Sequence, residues 1–160
     1  MESSAQDQTL KPAEHMTGEC MCGKVKFEVD QPLIGAALCY CKRCQRRTGS
    51  GVSATGLTQP GSFRITEGED SVTSYEPGDG GFNKYFCRNC SGQLFTSHPD
   101  NPEILAVRLG ALNEDPGIRP AAHQFTAYAA PWFPVPDDGL PKFPTAHRRR
   151  LPHAPALRTP

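Results

Sequence analysis

Charged and apolar residues alternate along residues 24–29, Lys-Val-Lys-Phe-Glu-Val, which is the period-two pattern of a strand with one face in a core and the other in water. Val25, Phe27 and Val29 take the inward face, and Asp30-Gln31-Pro32 ends the strand. Residues 33–39 read as a second strand that terminates on Cys39, and residues 42–48 fit a single helical turn or short helix stopped by Thr48-Gly49-Ser50-Gly51. Further short strands are predicted at 52–57, 63–65 and 72–75, with turns at 59–61 and 67–70 between them. After the Pro77-Gly78-Asp79-Gly80-Gly81 loop, residues 83–86 and 93–96 form the arms of a hairpin whose turn carries Cys87-Arg88-Asn89-Cys90. Residues 104–109 and 123–128 complete a set of eight or nine strands arranged as a meander, and the proline-broken stretch 129–143 closes the chain. The 15 glycines and 16 prolines in 160 residues keep the intervening segments short, which favours strands and turns over long helices.

A chain of this length is one domain with a genuine core. The N-terminal stretch is polar, with no basic start and no apolar run, so no secretory signal is expected there. No segment approaches membrane-spanning length. The expectation is a soluble cytoplasmic protein divided into a disordered N-terminal tail at 1–16, a folded domain at 17–143 and a basic, proline-rich C-terminal tail at 144–160. Formal net charge is zero, which leaves no domain-wide electrostatic footprint for nucleic acid. The local exception is the end of the chain, where Lys142, Arg148, Arg149, Arg150 and Arg158 face no acid; a solvated terminus is the plainer reading of such a run.

Cysteine changes the picture. Cys39-Tyr40-Cys41-Lys42-Arg43-Cys44 puts three thiols in six residues, too many for ordinary packing of a small apolar side chain. In extended chain, residues two apart point the same way with Cα atoms about 6.6 Å apart. Thiolates on one tetrahedral zinc lie roughly 3.8 Å apart, given a Zn–S bond of about 2.3 Å. Cys39 and Cys41 can therefore converge on one ion, and a turn through Lys42 and Arg43 brings in Cys44; a redox dithiol is the competing use. Cys20 and Cys22, then Cys87 and Cys90, supply four more thiols. Two plus two from distant segments makes a closed four-thiolate site that clips a loop of about 65 residues, although spacing alone permits other pairings. That division leaves Cys39, Cys41 and Cys44 as three ligands with an open fourth position, the way catalytic zinc is held. Seven cysteines without an export signal also point to a reducing compartment.

Zinc(II) with three thiolates carries net negative charge and acidifies water poorly, so hydrolysis is not its obvious use. An added thiol would bind as a thiolate and stay nucleophilic, which suits sulfur chemistry. Arg46 and Arg47, with the amides around Gly49 and Ser50, could receive a carboxylate beside it; two surface arginines and a turn is the plainer reading. His98 and His123 are possible acid–base or supporting groups. Trp132 and Phe133 could wall a pocket, or simply pack.

The succession Gly18-Glu19-Cys20-Met21-Cys22-Gly23, Cys39-Tyr40-Cys41-Lys42-Arg43-Cys44-Gln45-Arg46-Arg47-Thr48-Gly49-Ser50 and Phe86-Cys87-Arg88-Asn89-Cys90 resembles the glutathione-dependent formaldehyde-activating enzyme (Gfa)/centromere protein V family. Gly110 to Pro116 and Ala130-Pro131-Trp132 fit it as well. The resemblance implies a mainly β, β-tent (Mss4-like) fold of short antiparallel strands with little helix. It implies two zinc ions, a structural one on Cys20, Cys22, Cys87 and Cys90 and a catalytic one on Cys39, Cys41 and Cys44. It further implies a carbon–sulfur lyase that joins glutathione, as cosubstrate, to formaldehyde or a similar small aldehyde, with Arg46, Arg47, Gly49 and Ser50 as candidate glutathione contacts. The alternative is a zinc-stabilised protein- or chromatin-interaction module without catalysis. Two departures stand out. Members often carry histidine where this chain has Tyr40, and glycine directly after the second knuckle cysteine, where this chain has Ser91 and then Gly92.

Overall fold

In the computed structural model, which describes residues 10–146, the alternation at residues 24–29 buries Val25, Phe27 and Val29 and leaves Lys26 and Glu28 half-exposed. Strand β2 (Lys26–Val29) is the centre of a three-stranded antiparallel sheet, flanked by β1 (Met16–Glu19) and β5 (Phe63–Glu67). β1 was not legible as a strand, because Gly18 sits in its middle. A Cβ at Gly18 would run into the Phe27 ring and the Ala111 carbonyl, so the glycine is what lets the strand lie against β2.

The second sheet has eight strands in the order β11-β10-β3-β4-β9-β8-β7-β6. These are β3 (Gly35–Cys39), β4 (Ser53–Leu57), β6 (Val72–Tyr75), β7 (Asn83–Cys87), β8 (Gln93–His98), β9 (Asn101–Arg108), β10 (His123–Gln124) and β11 (Lys142–Phe143). Only β6 to β9 form the expected meander. β5 leaves for the other sheet, and β9 pairs back onto β4. The short strands β10 and β11 at one end of this sheet are parallel to each other, and β10 runs parallel to β3 on its other side. The expected strand at 123–128 stops after two residues: Phe125 adopts φ 57, left-handed backbone that cannot continue a strand, and residues 126–128 form a 3₁₀ turn. Among the described residues the one α-helix, α1 (Lys42–Thr48), lies where the sequence placed it and ends on Gly49, whose φ of 67 and N–H bond to the Gln45 carbonyl close the last turn.

A ladder of rings joins the sheets. Phe27 meets Phe63 at 5.1 Å, Phe63 meets Phe95 at 4.6 Å and Phe95 stacks on Tyr85 at 4.5 Å. Met16, Leu33, Leu94 and Val107 fill the same core with Cys20 and Cys87. The described residues are thus mainly β, with short strands and one helix, the Mss4-like architecture the resemblance implies.

At the ends, Met16 is fully buried in β1 and Ala13 donates to the Pro116 carbonyl at 3.0 Å. Phe125 and Ala127 donate to the Thr145 and Pro144 carbonyls. Residues on both sides of the expected 17–143 boundaries therefore run against the domain. The basic run at Arg148-Arg149-Arg150 and Arg158 lies outside the described residues. Among the described residues, no helix is long and apolar enough to cross a membrane.

Candidate metal centre

The seven thiols gather into two groups, Cys20, Cys22, Cys87 and Cys90 in one and Cys39, Cys41 and Cys44 in the other. Within each group the sulfurs lie within 4.8 Å of one another, and all seven are free thiols.

The four-thiol group sits where two turns meet. The first leads from β1 into β2: Gly23 (φ 73) closes it by donating to the Cys20 carbonyl at 3.0 Å. The second joins β7 to β8, where Cys87 and Gly92 pair through N–H···O at 3.0 Å and Ser91 donates to the Cys87 carbonyl. The sulfurs of Cys20 and Cys22 are 3.6 Å apart, and those of Cys22 and Cys87 are 3.9 Å apart. Those separations bracket the roughly 3.8 Å edge of a tetrahedral zinc thiolate site. Backbone amides aim at the sulfurs too: Val25 donates to Cys20 Sγ at 3.3 Å, and the Gly92 N–H is the foremost group pulling the Cys90 thiol down to about 6. A donor set of four sulfurs partly in thiolate form suits a thiophilic cation.

The three-thiol group is built from the end of β3 and the start of α1. Cys41 is the helix N-cap, and its Sγ accepts from the Cys44 N–H at 3.4 Å. The Cys39 and Cys44 thiols both lean on Cys41 and hold it well below the ordinary thiol range, while the same contact pushes Cys39 well above it. One thiolate is therefore easily formed, and a cation would be needed to ionise all three.

The backbone around these thiols is fixed by buried polar contacts. β3–β4 pairing sets Cys39 opposite Ser53, and β10 sets Gln124 beside Cys39. Gln45, on the inner face of α1, donates to the Tyr40 carbonyl at 2.7 Å and the Tyr128 carbonyl at 2.8 Å. Tyr40, fully buried between two of the ligands, meets His123 Nδ1 through its hydroxyl at 3.0 Å, and His123 Nε2 lies 3.1 Å from both Asp138 oxygens. His123 is thus a partner of Tyr40. His98, by contrast, takes the Asp100 N–H at 3.2 Å within its own turn and packs edge-on against Phe82.

The other expected contacts are redistributed. Gly49 N–H is spent on Gln45 and Ser50 N–H on Thr48 Oγ1 at 3.1 Å, so those amides close the helix. Arg46 is exposed. Arg47 turns inward and donates through Nη2 to the Tyr85 and Phe95 carbonyls at 3.1 and 3.4 Å. Phe133 packs on Gly51, where a Cβ would strike its ring, and Trp132 beside it is 68% exposed. Two residues that the sequence did not flag also face the three thiols. Arg108, at the end of β9, bonds Ser53 Oγ, and β3–β4 pairing sets Ser53 opposite Cys39. Lys84 on β7 feels the Cys44 and Cys41 sulfurs. No sequence signal marks them, because β7 and β9 bring them in from 40 and 64 positions beyond Cys44.

A cleft of about 600 Å³ opens beside the four-thiol group, lined by Cys20, Met21, Ser53, Gln93, Arg108 and Asn113 among others.

Comparison with known proteins agrees with this geometry. A curated protein of Halomonas elongata, provisionally named a glutathione-dependent formaldehyde-activating enzyme, is 27% identical over 105 residues, which cover 62% of this chain and 67% of that protein. A crystal structure of a Rhodobacter sphaeroides protein superposes with a TM-score of 0.54 at 24% identity, covering 80% of this chain and 99% of that one, a likeness of fold. The family model described as glutathione-dependent formaldehyde-activating enzyme matches residues 15–128, which hold all seven thiols, and the chain belongs to that family.

Proposed function

We propose that the protein is a zinc-dependent carbon–sulfur lyase that joins glutathione to a small aldehyde, formaldehyde being the simplest, and releases the S-hydroxymethyl adduct. The observation that carries the reading is the division of the thiols into a four-sulfur group at the sheet junction and a separate three-sulfur group at the end of β3 and the start of α1. Cys20, Cys22, Cys87 and Cys90 would hold a structural zinc. Cys39, Cys41 and Cys44 would hold a second, whose chemistry when bound is to lower the pKa of an incoming thiol without quenching its nucleophilicity. In the reaction itself, the thiol sulfur forms a bond to the carbonyl carbon, the C=O π pair moves onto oxygen, and that oxygen takes the proton the thiol gave up. Nothing is oxidised or reduced.

The chain's own part is to hold the three sulfurs rigidly. Gln45 and the Tyr40–His123–Asp138 series lock the backbone on both sides of Cys41, which is the preorganisation such a site needs. Free thiols in both groups suit a reducing compartment, in keeping with a cytoplasmic setting.

The test is the exchange between glutathione, formaldehyde and their adduct, followed by NMR. The protein should raise the exchange rate above the spontaneous one, and Cys41→Ser should return it to the spontaneous rate. Serine is a strong N-cap, so that variant keeps α1 while losing the thiolate. A folded Cys41→Ser protein with the parent's rate would refute the proposal.

A further inference from the structure

The outer strand of the small sheet has a free edge. β5 pairs with β2 alone, at the end of the order β1-β2-β5, and no other strand joins it among the described residues. Which of its main-chain groups face outward follows from one bond, since the Asp30 N–H donates to the Ser62 carbonyl at 3.0 Å. Ser62 and, two residues on, Arg64 therefore turn their main-chain groups towards β2, and Phe63 and Ile65 turn theirs away from it. An edge of this kind is a template for pairing with another length of chain.

A hollow of about 450 Å³ opens beside that edge. Of the small sheet only β5 lines it, through Phe63, Arg64 and Ile65, while Tyr85, Phe95, Ser97 and Leu105 line it from the face of the large sheet. It lies at the margin of the small sheet, not beneath its centre, and none of the seven thiols lines it. Ser97 is what makes the room. It follows Phe95 on the same face of β8 and stands opposite Leu105, as Phe95 stands opposite Tyr85 and Val107. Its short side chain leaves open the space that a ring fills two residues earlier, and the stacked rings of Phe63, Phe95 and Tyr85 become the wall.

The charges around the hollow are unbalanced. Arg64 is spent on Glu28 and on Asp30, the latter at 2.9 Å, whereas Glu69, the other charged lining residue, has no ion-pair partner among the described residues. Asp70, next to Glu69, and Glu103, next to the lining residue Pro102, are exposed acids in the same state. A chain carrying cations is attracted to such a margin, and a second copy of this protein, presenting the same acids, is not.

We infer that this margin docks an extended peptide segment of another protein. The peptide adds a strand to the free edge of β5, sets one large apolar side chain in the hollow and carries lysine or arginine beside it. Main-chain bonds to Phe63 and Ile65 supply affinity for any sequence, the hollow selects the side chain, and Glu69 selects the charge. The site is separate from both thiol groups, so this binding stands or falls independently of the reaction proposed above.

The experiment is fluorescence anisotropy of a fluorescein-labelled peptide, Lys-Thr-Phe-Thr-Lys, with the full-length, metal-loaded protein at low ionic strength. Three further probes change one feature each: alanine in place of phenylalanine, glutamate in place of both lysines, and methyl groups on the central main-chain nitrogens. The first probe should bind at least about tenfold more tightly than the alanine probe, the scale of burying one large apolar side chain. The glutamate and N-methyl probes should each lose about fivefold or more. Ser97→Leu fills the hollow and should erase the preference for phenylalanine. Glu69→Lys, on an exposed 3₁₀ turn outside the core, should erase the preference for lysine, and it decides the matter even where Ser97→Leu does not fold. A parent that binds none of the probes, or all of them alike, would overturn the inference, as would variants that keep the parent's preferences. Tighter binding by a chain ending at Ala146 would overturn it in favour of the chain's own basic end as the occupant. A dimer that the first probe dissociates would overturn it in favour of a second copy.

Discussion

Tyr40 stands between two sulfurs that converge on one point, and its hydroxyl is fully buried against His123. Its energetic role is to leave no polar atom alone in that layer: tyrosine hydroxyl, imidazole and Asp138 carboxylate satisfy one another in series. Tyr40→Phe removes the hydroxyl and strands His123 Nδ1, which should cost about 1–3 kcal/mol, measurable as a lower denaturation midpoint with unchanged slope. His123→Leu with Tyr40→Phe should cost less than the sum of the single changes, because the two remove one shared contact. Equal and additive losses would mean the pair is incidental. The departure from the family's usual histidine was legible in the sequence as an identity. Its partner was not, because His123 lies 83 positions away on a strand of two residues, too short for any pattern of alternation.

Elements were legible in proportion to how local their causes are. β2 follows from its own alternation, and α1 from a cysteine cap and the Gly49 stop. β1 follows from packing and pairing with distant chain, so the sequence does not show it, and β10 is all that remains of the strand expected at 123–128. Gly18 is the clearest case: Gly18→Ala would push a methyl group into the Phe27 ring and the Ala111 carbonyl, and should destabilise the protein by about 1–3 kcal/mol. The β7–β8 turn carries the second departure, and here the structure gives its physical meaning. Ser91 holds φ 61, a left-handed backbone that glycine adopts freely and serine does not. Ser91→Gly should therefore stabilise the protein by up to about 1 kcal/mol, the steric relief being partly offset by glycine's greater freedom when unfolded. A fall in the melting temperature of that variant would show that the serine is held there by something other than tolerance.

At the scale of the whole molecule, the four-thiol group connects what the hydrogen-bond ladders do not. One pair of sulfurs comes from the β1–β2 turn of the small sheet and the other from the β7–β8 turn of the large one, and Cys22 and Cys87 are 65 positions apart in sequence. Apart from that junction, the sheets are held by the ring ladder from Phe27 to Tyr85 and its apolar surroundings. Chelation should therefore lower the melting temperature sharply, with the loss coming from the four-thiol group and not the three-thiol group. Cys20→Ser and Cys90→Ser should reproduce the loss. The split of seven thiols into four and three was one of the groupings that their spacing allowed, and the structure gathers the sulfurs that way. The cations facing the three-thiol group were not legible in the sequence, since tertiary pairing alone places Lys84 and Arg108 there. The most direct measurement is zinc per chain in the reduced protein and in a variant with Cys39, Cys41 and Cys44 all changed to serine. Two zincs falling to one, in a variant that keeps the parent's circular dichroism and cooperative melting, is the result predicted by two separate metal sites. One zinc in both proteins, or a variant that no longer folds, would contradict it.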